Sequence, residues 1–139
     1  MNEQYVSEAL AMGNKAIALD AAADHYEARL NWQKASDYAD VHLAGEDIYY
    51  WIKSGLGAAL LDDGDYQASI AVAKLALDWC LKIKQPLPSL TIAKAYLKLG
   101  DRQNAAAHVR EARCLVGNGV FEQLDPVDRE VMRDLAALD

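Results

Sequence analysis

The sequence predicts an all-α fold: a stack of about three antiparallel helix pairs closed by a C-terminal capping helix. Three observations carry that expectation. Apolar residues recur every three or four positions through most of the 139 residues, and no run alternates cleanly enough for a strand. A phrase also repeats. Gly57-Ala58-Ala59-Leu60-Leu61-Asp62-Asp63-Gly64-Asp65-Tyr66-Gln67-Ala68 returns 36 residues later as Ala93-Lys94-Ala95-Tyr96-Leu97-Lys98-Leu99-Gly100-Asp101-Arg102-Gln103-Asn104. One helix pair of this size cannot bury its apolar face alone, so repeated pairs stack. Finally, Gly64-Asp65 and Gly100-Asp101 each join a helix stop to a helix start. Glycine takes the left-handed geometry that ends a helix, and aspartate caps the next one.

The first helix is expected from Glu3 to about Ala21, with Val6, Leu10, Ile17 and Ala21 roughly on one face and a weak spot at Gly13-Asn14. A second runs from Asp24 to His42 and ends before Ala44-Gly45. A third spans Glu46 to Asp62, and a fourth, capped by Asp65, covers about Tyr66 to Lys84. Gln85-Pro86-Leu87-Pro88 interrupts the pattern because proline cannot continue a helix, and Ser89 is the expected cap of the fifth helix, to Leu99. The sixth runs from Arg102 to about Val116, and Gly117-Asn118-Gly119 reads as a loop. The last helix, 125–138, starts with Asp125 as cap and Pro126 at the first helical position. Its expected apolar stripe is Val127, Val131, Leu135 and Leu138.

Composition narrows the function. The chain, 1–139, is the size of one domain. Its formal net charge of −7 argues against nucleic acid, whose phosphates require Lys and Arg, and fits a partner with a basic patch. Cys80 and Cys114 form no CxxC pair, and reduced cysteine in a helix acts as a small apolar residue. The N-terminus lacks a basic stretch followed by an apolar run, and no apolar stretch approaches the ~20 residues of a membrane span. The expectation is a cytoplasmic protein that does not engage a membrane.

The repeated units resemble tetratricopeptide (TPR) repeats. That resemblance rests on Leu56-Gly57 and Leu60 before Gly64-Asp65-Tyr66, then Ser69 and Ala76, over 46–84. In the next unit, 88–116, Ile92-Ala93 and Tyr96 precede Gly100-Asp101, then Ala105 and Ala112. A fainter unit at 3–43 has Ala16, Leu19, Asp24-His25-Tyr26, Ala28 and Ala35, with Ala23 where the turn glycine belongs. The resemblance implies that the first helix of each pair lines a concave groove. Groove-facing positions are then Leu10, Gly13 and Ile17; Trp51, Ser54, Ala58, Leu61 and Asp62; and Leu90, Lys94, Leu97 and Lys98.

The residues expected to meet a partner are Tyr49, Tyr50, Trp51, Asp62, Lys94 and Lys98. Three consecutive helical residues cannot all face a core, so Tyr49-Tyr50-Trp51 should leave a ring partly exposed, and exposed Tyr and Trp anchor interfaces. Lys94 and Lys98 share a helix face. The upstream units carry Gly13, Ile17, Ser54 and Ala58 where a carboxylate clamp would need Lys and Asn. Asp62, Asp63, Asp65, Glu46 and Asp47 lack calcium-loop spacing and are explained by capping. His25, His42 and His108 fall on three different helices without HExxH spacing. The serines show no GxSxG elbow. No catalytic residue, metal ligand or cofactor site is therefore expected.

These points predict a non-catalytic protein-binding module. A short acidic chain of this kind is similar to the small bacterial immunity proteins, which bind and neutralise a cognate toxin. A TPR-type adaptor or chaperone subunit of a larger assembly is the alternative, and an enzyme on a helical scaffold is the third reading.

Overall fold

Four aspartates begin four of the helices. Asp24, Asp65, Asp101 and Asp125 each accept a hydrogen bond from the backbone N–H three residues on, at 3.3, 3.4, 3.1 and 2.9 Å. Each thereby satisfies one of the amide donors a helix start leaves open. In the computed structural model, which describes residues 2–138, the chain forms seven α-helices. They are α1 (Asn2–Ala21), α2 (His25–His42), α3 (Asp47–Asp62), α4 (Tyr66–Lys82), α5 (Leu87–Lys98), α6 (Arg102–Val116) and α7 (Pro126–Ala136), with a 3-10 helix at Asn118–Gln123 between the last two. No strand occurs among the described residues.

The helices pack in adjacent pairs, α1 with α2, α3 with α4 and α5 with α6, and α7 lies against α6. Across the pairs, α1 also meets α3, and α3 meets α5. The first helices of successive pairs thus share one face of the stack. The buried side chains fall into three successive groups. Trp32, Ile52, Leu56 and Leu60 centre the first, Ile70 and Ile92 the second, and Val109, Phe121, Met132 and Leu135 the third.

Small residues set the spacing within a pair. A β-carbon on Gly57 would lie 3.0 Å from Cβ of Ala73, so α3 and α4 touch nearly backbone to backbone there. Ser69 Oγ donates to the Gly57 carbonyl at 2.7 Å in the same contact. Lys53 is buried between α2 and α3, where its ammonium donates to Ser36 Oγ at 2.6 Å and to Asp40 Oδ1 at 2.8 Å. A buried charge needs such partners.

Three expectations need correction. Ser89 does not cap α5. Pro86 occupies that position and Pro88 lies inside the first turn, where proline has no intrahelical donor to lose. Ser89 is instead buried, and its hydroxyl donates to Glu111 Oε1 at 2.9 Å, tying α5 to α6. The segment after Gly117 is more than a loop, because its 3-10 helix buries Val120 and Phe121. Arg129 of α7 donates to the carbonyls of Phe121 and Leu124, both at 3.1 Å. The α7 stripe is also rotated: Met132, Leu135 and Ala136 are buried, whereas Val127 is 73% exposed.

Candidate functional site

Two glycines in mid-helix shape the floor of an apolar hollow. A β-carbon on Gly55 of α3 would sit 2.4 Å from the Trp32 ring, and one on Gly13 of α1 would sit 2.6 Å from the Trp51 ring. Glycine costs a helix interior about 1 kcal/mol relative to alanine. Here its missing side chain is what admits the indoles. Gly13 is therefore no weak spot and does not face an open groove; it is buried beneath Trp51. Trp32 and Trp51 meet edge to face, with ring centroids 5.2 Å apart at 70°. That geometry suits the aromatic quadrupole.

Over this floor opens a hollow of about 400 Å³. Its walls are Ile17 of α1, Ala58 of α3, Trp79 of α4, Ile83 just past the end of α4, and Leu87 at the start of α5. Ile17, Ile83 and Leu87 are all exposed. Trp79 is held by stacking on Tyr50, at 5.7 Å and 15°, and by its Nε1–H, which donates to Asp47 Oδ1 at 3.1 Å. Cys80 lies deeper in the wall, and desolvation pushes its thiol pKa up to about 11. A volume of this size, mostly apolar with few polar groups, is typical of a binding pocket.

Asp20 and Asp62 line the hollow too. Asp20 Oδ1 lies 2.6 Å from His25 Nδ1, and that hydrogen bond raises the His25 pKa above its ordinary value. Desolvation, followed by the negative charge of Asp20, raises the Asp62 carboxyl; His25 and Lys94 act in the opposite direction. Asp62 also borders a second, more polar hollow of about 310 Å³, formed with Leu61, Tyr66, Lys94, Leu97 and Lys98. Lys94 Nζ lies 3.5 Å from Asp128 Oδ2 of α7.

The six residues singled out in the sequence thus separate. Trp51 and Asp62 share the apolar hollow, while Asp62, Lys94 and Lys98 share the polar one. Tyr49 and Tyr50 border neither. Tyr49 packs into the first core with the Lys53 ammonium 4.9 Å over its ring, and Tyr50 braces Trp79. The three consecutive rings are all half-buried, each against a different neighbour. Sequence reasoning missed Trp32, Trp79, Asp20 and His25. The glycines were the available signal for Trp32, since an interior helix glycine away from any turn usually has a packing reason.

No protein-family model matches this chain, and no curated protein or solved structure matches it either. Among the described residues, no helix is long and apolar enough to cross a membrane.

Proposed function

We propose that this chain is a non-catalytic protein-binding module, and that its apolar hollow receives a side chain or helix face from one protein partner. The observation that carries this reading is the three-indole hollow, whose exposed rim residues Ile17, Ile83 and Leu87 extend its apolar surface outward. Contiguous exposed apolar surface around a pocket is what an interface core requires. The packed helices around it support binding with little ordering cost. A net charge of −7 favours a partner with a basic face and speeds the encounter.

In its narrower form the reading is a bacterial immunity protein. Such a protein neutralises a toxin by covering the toxin's active site, so it needs complementary shape and charge and no reactive group of its own. The chain's acidity supports this form. The resemblance of 46–84 and 88–116 to TPR units remains a proposal about ancestry that the paired helices accommodate.

The test is co-purification from the native host with wild-type protein and with Ala58→Glu, which puts a carboxylate into the hollow. The wild type is expected to retain a toxin and suppress its activity in vitro. The variant should melt near the wild-type temperature but release the toxin. Equal retention by the variant, or stable recovery within a larger assembly without any toxin, would overturn the reading.

A further inference from the structure

At the end of the hollow, three helix termini bring together three metal-binding side chains. Asp20 lies in the last turn of α1, His25 is the first residue of α2, and Asp62 is the last residue of α3. One donor atom from each lies within 4.8 Å of the other two. We propose that Asp20, His25 and Asp62 form a three-ligand site for a divalent transition metal of the zinc class.

The donor chemistry selects the ion. Two carboxylate oxygens alone would suit Mg²⁺ or Ca²⁺, but an imidazole nitrogen moves the preference to Zn²⁺ and its first-row neighbours. Three protein ligands are the number found in open zinc sites, which leave a coordination position for water or another donor. Since Asp20 and Asp62 line the hollow, that position borders it.

Among the described residues, no lysine or arginine forms an ion pair with Asp20 or Asp62. Arg29 pairs with Asp63 and Asp65, and Lys94 with Asp128. Neither α1 nor α3 carries a basic residue in its last turn, so both present the negative end of the helix dipole to this corner. The Asp20–His25 hydrogen bond explains why those two residues meet. Asp62 comes from a third helix, α3, which packs against α1, and a shared cation would tie the three termini together. On binding, the metal takes the imidazole lone pair and breaks the Asp20–His25 hydrogen bond, and any proton on the coordinating nitrogen leaves to solvent. The site does not depend on the protein-binding reading, and its test uses the protein alone.

The experiment is titration of chelator-stripped full-length protein with Zn²⁺ by calorimetry and with Co²⁺ by visible absorption. The variants are His25→Gln and Asp62→Asn, with His108→Gln and Cys114→Ser as controls. One ion per chain is expected. Each site variant should weaken binding by about tenfold or more, as loss of supporting groups does at known metal centres, while the controls bind as wild type. Unchanged amide NMR spectra away from the three helix termini would show that the variants remain folded. Wild-type binding weaker than about 1 mM, undiminished binding in both site variants, or Co²⁺ absorption from thiolate coordination would each overturn the proposal.

Discussion

The amide of Asp65 donates to the carbonyl of Leu60 at 2.9 Å, closing the turn between α3 and α4 from five residues back. The same closure joins Asp24 to Leu19 and Asp101 to Tyr96, both at 2.9 Å, and Gln85 to Cys80 at 2.8 Å. In each turn the residue before that amide stands in left-handed geometry, and its identity varies: Ala23 at φ 62°, Gly64 at 83°, Lys84 at 57° and Gly100 at 81°. The turn after α1 is therefore built without the glycine its position favours.

Ala23→Gly and Lys84→Gly are each expected to stabilise the protein. Left-handed geometry costs an L-residue about 1–2 kcal/mol, and the added chain entropy of glycine returns about 0.4–1, leaving a net gain of about 0.5 kcal/mol. Gly64→Ala and Gly100→Ala should lose a similar amount. Urea denaturation midpoints at constant slope check the signs.

Gly55→Ala should destabilise the fold despite the better helix propensity of alanine. The new carbon would meet the rigid Trp32 ring at 2.4 Å, and overpacking of this kind costs about 1–3 kcal/mol, more than the ~1 kcal/mol that propensity returns. Gly57→Ala has room closer to contact distance, 3.0 Å from Ala73 Cβ, and should cost less, whereas Gly57→Leu pushes α3 from α4 and should cost at least as much as Gly55→Ala. Equilibrium denaturation of the three variants gives the order.

The helix starts were legible because an N-cap is local chemistry. Asp24, Asp65, Asp101 and Asp125 need only their own next three residues. The Trp32–Trp51 floor was not legible, because the two rings are brought together by packing α1, α2 and α3 against one another. The Asp20–His25–Asp62 corner escaped for the same reason, since motif spacings describe donors on one segment and these come from three. On α7, reading the apolar residues alone placed Val127 on the inner face. The structure turns the helix so that Met132 and Ala136 are buried, as Arg129 reaches the carbonyls of the preceding 3-10 helix.

The two cysteines should react at very different rates. Cys114 is exposed, whereas Cys80 is buried and its thiol pKa is pushed up to about 11. Since the thiolate is the reactive form, an aromatic disulfide reagent at neutral pH should label Cys114 promptly and Cys80 only after denaturant is added. Two equivalents consumed in the native state would contradict the described burial.

Tyr38 should titrate late. Its hydroxyl donates to Glu8, and that bond, with desolvation and the Glu8 charge, pushes its pKa up to about 12. A raised folded-state pKa means that the contact's contribution is fully present below the ordinary tyrosine value of about 10 and is lost as pH rises towards 12. Ultraviolet difference titration should show one tyrosinate forming late, and Glu8→Gln should bring it earlier.

All three tryptophans of the chain border the same hollow. Intrinsic emission excited at the red edge of indole absorption therefore comes solely from this region and is silent about α6 and α7. The protein carries a built-in optical reporter of occupancy there, so quenching or a spectral shift can be followed in real time without attaching a dye.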